Sequence, residues 1–260
     1  MHLHFDYQMK LFYSAPVNVC NYTIKCIPKN TMRQRLLKRS IEFIPETKYS
    51  LGEDSYGNQM LYGRIDKPHN SLIFRITGEV ETYPTEYEDI AYKNRIGMYK
   101  YPFGKCIPGE ALLAYFKSLE LSDCSSTLDI CHHIMKKLHA DFSYVPAKTN
   151  TGTDAEEAWK LRMGVCQDYA HIYITLLRLF GIPARYVCGF LTGEGASHAW
   201  VEALYNGRWY GFDPTNNCAV NEGYIKLGDG RDATECAINR GIMIGGGTQT
   251  QEITAMVTQQ

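Results

Sequence analysis

The chain has 260 residues, a hydrophobic content of 45%, and 28 acidic side chains against 27 basic ones. That composition is typical of a globular protein with enough apolar side chains to form a core. With a formal net charge of −1 the chain lacks the basic excess of a nucleic-acid-binding face, so we expect no nucleic-acid partner.

The number of cysteines and the length of the apolar segments bear on the cellular compartment of the chain. The nine cysteines are an odd number without framework spacing, which favours reduced thiols and a cytoplasmic location. The first residues do not have the pattern of a signal peptide, and no window has the ~18 apolar residues of a spanning helix, so we expect no membrane partner. Cys131, His132 and His133 are adjacent, and adjacent helical positions point about 100° apart. We therefore expect no metal site there.

The first 83 residues are predicted to form a small all-β domain. Apolar and polar residues alternate over 2–12 and again over 17–27, as in half-buried strands. A turn cluster follows at 54–58, and two further short runs at 72–77 and 80–83 have the composition of strands. Short strands separated by turn signals indicate a small sheet or sandwich.

Beyond residue 83 the pattern changes. Residues 84–108 are rich in tyrosine and are predicted to be a linker that lies across the following domain. From residue 109 the apolar residues adopt helical spacing, first over 109–119 and then over 125–139. Thr153 and Glu156 have the spacing of a capping box, which predicts a short helix ending at Leu161. We assign residues 109–260 to a second domain.

Cys166 lies at the start of the segment that most clearly indicates a catalytic function. The apolar residues after it follow the spacing of one buried helical stripe, namely Tyr169, Ile172, Tyr173, Leu176, Leu177 and Phe180. Gly181 and Pro183 are typical of the end of such a helix. Cys166 is therefore expected at the helix N-terminus, where unpaired N–H groups and the helix dipole favour a thiolate. The same N–H groups would stabilise an oxyanion beside the sulfur.

A β-hairpin is predicted shortly after this helix. Asn206-Gly207 separates two strand-like runs, 198–205 and 208–213, and Asn-Gly is a strong signal for a two-residue turn. In that register Tyr205 opposes Arg208, which places His198 and Asp213 on one face as diagonal neighbours. Diagonal pairs lie roughly 7–8 Å apart at the backbone, within reach of an imidazole and a carboxylate.

Together the three side chains predict a catalytic triad. Cys166 would be the nucleophile, His198 the base, and Asp213 the group that orients the imidazole. Each residue also has a structural interpretation: a small buried thiol, a core histidine, and an aspartate that forms a turn before proline. Their combination in one helix and one hairpin favours the catalytic interpretation.

Four motifs closely resemble those of bacterial transglutaminase-like proteins, many of which are described as cysteine proteases. They are Gly-Val-Cys-x-Asp-Tyr-Ala from residue 164, Leu-Leu-Arg-x-x-Gly-Ile-Pro-Ala-Arg-Tyr-Val from 176, Ser-His-Ala-Trp-Val-Glu from 197, and Trp-Tyr-Gly-Phe-Asp-Pro-Thr-Asn-Asn from 209. The resemblance implies a triad of Cys166, His198 and Asp213. It also implies an α+β fold, with a papain/transglutaminase-like core in which a helix packs on an antiparallel sheet, preceded by the β domain.

The resemblance also implies a side chain that stabilises the oxyanion, and the sequence departs from the family pattern at two places. The family tends to place a side chain that stabilises the oxyanion upstream of the cysteine, and Tyr144 matches that position. Gln167 stands where an arginine is common. Residues 233–249 match poorly, which leaves the far wall of the substrate cleft undefined.

The residues predict an amide hydrolase, a peptidase or isopeptidase that works through a thioester. Two alternatives remain open at this point. One is acyl transfer with the same triad, by a protein-glutamine transglutaminase or deamidase, and the other is a non-catalytic binding module on the same fold. The expected partner is a peptide or protein with an amide or isopeptide bond. No cofactor is implied, because a thiolate and an imidazole suffice and calcium-ligand spacing is absent.

Overall fold

A computed structural model describes residues 1–122 and 124–260. Strands dominate, and the helices cluster between residues 110 and 179, which confirms the predicted α+β class. The α-helices are α1 (Glu110–Ser118), α2 (Thr127–Asp141), α3 (Ala155–Leu161) and α4 (Cys166–Leu179). The strands are β1 (His2–Ile24), β2 (Gln34–Ile44), β3 (Tyr49–Glu53), β4 (Gln59–Ile65), β5 (His69–Thr82), β6 (Asp89–Ile90), β7 (Ser143–Tyr144), β8 (Met163–Gly164), β9 (Ala184–Leu191), β10 (Gly193–Gly195), β11 (His198–Tyr205), β12 (Arg208–Asp213), β13 (Cys218–Ala219), β14 (Tyr224–Gly230), β15 (Asn239–Gly245) and β16 (Gln249–Gln259).

The first sheet is built around β1, one long strand where the sequence predicted two. Its apolar side chains alternate into the core along most of its length. The pairing register with β5 shifts between Phe12 and Val17, on either side of Pro16, which has no N–H to donate. The first half of β1 lies between β5 and β16, and the second half lies between β4 and β15.

The last two strands belong to this first sheet. β15 and β16 pair with β1, with Leu3 opposite Gln259 and Ile24 opposite Asn239. The sequence predicts that these residues belong to a domain spanning 109–260, whereas in the structure they pair with the first strand of the chain. Period-two alternation identifies a strand but not its partner. Here β15 and β16 pair with an edge of β1 whose N–H and C=O groups would otherwise have no partner strand.

The second sheet has the order β13-β12-β11-β9-β14. The predicted linker contributes a strand to this sheet, because β6 lies within the linker and pairs with β12. Between β6 and α1 the chain forms two 3-10 helices, Lys93–Tyr99 and Gly104–Cys106. Tyr99 in the first of these packs edge-on against Trp209, with ring centroids 5.3 Å apart. The segment therefore lies across the second sheet, as predicted.

Helix α4 packs against β11 and β9 on one face of the second sheet. The sequence predicted one buried stripe, yet the helix is buried on nearly every side, because α1, α2 and α3 cover its outer surface. His171, on this helix, is fully buried. Its Nε2 accepts a hydrogen bond from the backbone N–H of Ala233, and burial lowers its pKa to about 3.

The opposite face of the second sheet holds a buried ion cluster. Arg185 Nε donates to Glu202 Oε2 at 2.6 Å, and Arg185 Nη1 donates to Asp229 Oδ1 at 3.2 Å. Lys226 Nζ donates to Glu202 Oε1 at 2.8 Å. All four side chains are buried, so each charge depends on the others for compensation. Arg185 thus joins two strands of the sheet to β14 through buried ion pairs.

Helix α3 begins one residue later than predicted. Asp154, not Thr153, is the N-cap, and its partner in the capping box is Glu157. Glu156 instead reaches the start of α1. Its carboxylate accepts from the backbone N–H groups of Gly109, Ala111 and Leu112 at 2.9–3.0 Å. A carboxylate at a helix N-terminus stabilises both the orphan N–H groups and the dipole.

Glu156→Ala is therefore expected to lower the free energy of unfolding by about 1–3 kcal/mol, because three N–H groups lose a charged acceptor. Urea unfolding followed by circular dichroism measures the difference. Glu120→Ala, which removes the same charge from an exposed position, serves as the matched control. Equal stability of the two variants would show that the carboxylate of Glu156 does not anchor α1.

Candidate active site

Cys166 is the first residue of α4, as predicted, and Val165 is the N-cap. The first hydrogen bonds within the helix run from the N–H groups of Asp168 and Tyr169 to the Val165 carbonyl. The backbone N–H groups of Cys166 and Gln167 come before these bonds and therefore have no acceptor within the helix. The carboxylate of Asp168 accepts from the backbone N–H of Val165 at 2.7 Å and from the Thr149 hydroxyl at 2.6 Å. The turn that presents the thiol is therefore fixed by hydrogen bonds, and Cys166 itself stays partly exposed.

The predicted hairpin is confirmed with its register. Tyr205 opposes Arg208, and Val201 opposes Phe212. Asn206 and Gly207 have φ values of 47° and 74°, the left-handed conformation that a type I′ turn requires at both central positions. The turn therefore fixes which residues of β11 and β12 share a face.

His198 and Asp213 meet on that face. The ring Nε2 of His198 lies 2.7 Å from Asp213 Oδ2, and the Asp213 side chain is fully buried. This contact occupies one ring nitrogen and leaves Nδ1 available to the thiol. Burial acts to lower the pKa of His198, but the Asp213 carboxylate and the Cys166 thiol outweigh it and raise the pKa to about 10. Burial likewise opposes ionisation of Asp213, yet the pKa of its carboxyl is lowered, chiefly by the bond to His198.

Two further side chains bind Asp213 that the sequence analysis did not assign. Asn216 Nδ2 donates to Oδ2 at 2.7 Å, and the Tyr224 hydroxyl donates to the same oxygen at 2.8 Å. The backbone N–H of Thr215 donates to Oδ1 at 2.9 Å. The Asp-Pro-Thr-Asn sequence carried a signal for Asn216, since such aspartates accept bonds from the residues that follow. Tyr224 had no local signal, because it arrives from β14.

Aromatic rings enclose the imidazole. The ring of His198 lies nearly parallel to that of Trp200, with centroids 6.3 Å apart, and 6.1 Å from that of Tyr224. Trp200 and Tyr224 pack edge-on against each other at 5.3 Å. Trp200 is fully buried, so its role here is packing. These rings restrict the orientations available to His198.

Tyr144, the residue that the resemblance implies for the oxyanion, lies close to Cys166. β7 pairs in parallel with β8, which sets Tyr144 opposite Gly164, two residues before Cys166. The side chain is more than half exposed, so its hydroxyl can reach a bound substrate. Burial and the charge of Cys166 both raise the pKa of Tyr144, so the phenol stays protonated at neutral pH and can donate a hydrogen bond.

The site contains no apparent metal-binding group. Within residues 1–122 and 124–260, no set of three or more His, Cys, Asp or Glu side chains is placed to hold an ion. All nine cysteines are free. In the same ranges, no helix has both the length and the apolar composition needed to span a membrane.

Two family models match the sequence. The transglutaminase-like superfamily core matches residues 118–214, and the bacterial transglutaminase-like N-terminal region matches residues 3–81. The chain therefore belongs to the transglutaminase-like superfamily, as its motifs indicated. This membership supports a cysteine-based hydrolase or acyltransferase.

Similar proteins cover nearly the whole chain. An uncharacterised protein of Mycobacterium leprae is 27% identical over 267 residues, which is 95% of each chain. An uncharacterised protein of Mycobacterium tuberculosis is 27% identical over 248 residues, 83% of this chain and 79% of its own. A solved structure of a candidate cysteine protease from Cytophaga hutchinsonii superposes with a TM-score of 0.78. It covers 99% of this chain and 90% of its own at 20% identity, which shows a shared fold.

Proposed function

We propose that the chain is a cysteine-nucleophile amide hydrolase, a peptidase or isopeptidase that acts on a peptide or protein substrate. The observation that carries this proposal is the imidazole of His198, held by the buried carboxylate of Asp213 and interacting with the thiol of Cys166. A raised histidine pKa next to a thiol favours the thiolate–imidazolium pair, which is the reactive form of such a nucleophile.

The reaction would run through a thioester. The Cys166 thiolate attacks the amide carbon, and the N–H groups at the start of α4, with the Tyr144 hydroxyl, stabilise the oxyanion that forms. The His198 imidazolium gives its proton to the leaving nitrogen as the C–N bond breaks, which leaves a thioester on Cys166. His198 then takes a proton from water, the hydroxide adds to the thioester, and the acid leaves as the thiolate re-forms.

Water is the acceptor that the site favours. Cys166 and His198 both retain solvent exposure, so water can reach a thioester on the sulfur without displacing any part of the chain. An acyltransferase needs the opposite, a cleft that excludes water in favour of an amine. If the site is a hydrolase, a labelled primary amine added at millimolar concentration will not be incorporated while free acid is released. Predominant amine incorporation would assign acyl transfer instead.

Alkylation tests the nucleophile without knowledge of the substrate. We expect iodoacetamide at pH 6–7 to label Cys166 before the other eight cysteines, six of which are buried, as mapped by mass spectrometry. His198→Ala should slow this labelling, because it removes the cation that stabilises the thiolate. Cys124, which is also partly exposed but lies outside the site, is the internal control and should react equally in both proteins. Labelling of Cys166 no faster than Cys124 would favour the non-catalytic binding module.

A further inference from the structure

A cavity of about 560 Å³ opens beside the nucleophile. Gln167, the residue after Cys166, and Ser197, the residue before His198, both line it. Its other walls come from the first sheet, through β1, β15 and β16, and from the loop between β14 and β15. The region that the sequence motifs left undefined is therefore a wall of this cavity.

The charged groups of this cavity are of one sign. Lys105 and Arg240 line it, and no aspartate or glutamate does. Neither cation forms an ion pair with any residue of the described chain, although the Arg240 guanidinium donates to the carbonyl of Thr234. Asp168 lies close enough to Lys105 for an electrostatic interaction, and its Oδ1 has no hydrogen-bond partner among the described residues, but the two side chains are not within ion-pair distance of each other. Two cations thus face the cavity without a dedicated counter-ion.

An unpaired hydroxyl lies in the same cavity. Tyr7, on β1, lines it and is fully buried, and its hydroxyl has no hydrogen-bond partner among the described residues. Buried polar groups in native proteins almost always have a partner, so this hydroxyl is an exception that a ligand would satisfy. Burial raises the pKa of Tyr7, which keeps the phenol protonated and able to donate.

We infer that this cavity binds a carboxylate-bearing side chain of the substrate, next to the amide bond that Cys166 attacks. The inference rests on the proposed function and narrows its substrate to peptides with an acidic residue beside the scissile bond. Lys105 and Arg240 supply the charge, and the Tyr7 hydroxyl supplies a hydrogen-bond donor. Charge-assisted hydrogen bonds of this kind are among the stronger contacts in proteins.

A matched pair of covalent probes tests the inference. Bromoacetyl-glutamate α-amide and bromoacetyl-glutamine α-amide have nearly the same size and differ in the charge of the side chain. In both, the Cys166 thiolate displaces bromide. We expect the glutamate probe to label Cys166 about tenfold faster than the glutamine probe, as a charged hydrogen bond of ordinary strength would give. Labelling of Cys124 by the two probes gives the intrinsic ratio for comparison.

The His198 imidazolium also attracts anions. Variants of the cavity residues therefore show whether a preference for the glutamate probe comes from the cavity or from the imidazolium. Lys105→Met and Arg240→Met should each reduce the glutamate preference, and the double variant should abolish it. Lys117→Met removes a cation outside the cavity and should change nothing. Tyr7→Phe should lower the preference without lowering the melting temperature, because the hydroxyl has no partner in the protein to lose.

The outcomes distinguish the two proposals. If Cys166 reacts with both probes at the ratio shown by Cys124, or if the preference survives the Lys105→Met and Arg240→Met double variant, the carboxylate subsite is overturned and the proposed function stands. If Cys166 reacts with neither probe, the proposed function falls and the subsite falls with it.

Discussion

Alanine in place of Cys166 is expected to lower the rate of amide hydrolysis by a factor on the order of 10⁵ or more. Removal of a nucleophile costs about this much in other triads, since only binding and oxyanion stabilisation remain. The measurement is steady-state release of free amine from peptide amides that contain acidic residues. Because Cys166 is only partly buried and alanine is compatible with a helix start, we expect the melting temperature to change by no more than a few degrees.

The control for this result is Cys124→Ala. Cys124 is also a partly exposed free thiol, and its removal leaves the proposed site intact. It should retain the wild-type rate. A Cys166→Ala protein that is folded and turns over at a rate near that of wild type would refute the nucleophile assignment, whatever the behaviour of Cys124→Ala.

Asp213→Asn is expected to reduce the rate by about 10³–10⁴, because an orienting carboxylate is replaced by an amide. The carboxylate accepts from His198, Asn216, Tyr224 and the backbone of residue 215. An asparagine presents an NH₂ group to some of these donors, so the imidazole loses its fixed orientation as well as its negative partner. Single-turnover kinetics with a slow substrate separates this effect from a change in binding.

The pH profile of the same variant gives a second, independent result. In the wild-type protein the pKa of His198 is raised to about 10, so the imidazolium that protonates the leaving nitrogen persists below that pH and disappears above it. Activity should therefore fall as the pH rises through about 10. Without the Asp213 carboxylate the pKa of His198 loses the larger of its two raising influences, and the alkaline limb should move to lower pH. An unchanged alkaline limb would show that another group controls it.

Asn216→Ala offers a milder test of the same contact. It removes one donor to Oδ2 of Asp213 and leaves the bonds from His198 and Tyr224 in place. We expect a reduction of about tenfold in the rate, the value of one hydrogen bond to a charged group. A reduction as large as that of Asp213→Asn would mean that Asn216 has a direct part in the reaction.

The sequence predicted those parts of the site that local patterns determine. The helix start at Cys166 follows from apolar spacing and from Gly181 and Pro183, and the pairing of His198 with Asp213 follows from the two-residue turn at 206–207. Both depend on residues within about 20 positions of one another. Tyr224 was missed because its contact with Asp213 depends on the pairing of β14 with β9, which no local pattern specifies.

The features of the fold that the sequence did not predict also depend on contacts between residues that are far apart in the chain. Alternation along 239–259 is weak, since most of these side chains are exposed, and it gave no indication that the strands join β1. The burial of His171 has no local signal either, because the segment that covers it, through the backbone of Ala233, lies more than 60 residues away. Glu156 was assigned to a capping box of its own helix, whereas its partners lie 44 to 47 residues earlier.

The pairing of β1 with β16 has a consequence for how the protein is made. On the ribosome β1 emerges long before β15 and β16, and one edge of it has no partner until residues 239–259 have been synthesised. An unpaired edge of that length is a template for association with other chains, so the nascent protein depends on protection for most of its synthesis. The cavity beside Cys166 takes one wall from those same last strands. The thiol therefore acquires its complete surroundings only after residues 239–259 have been synthesised and have paired with β1, which postpones any activity until then.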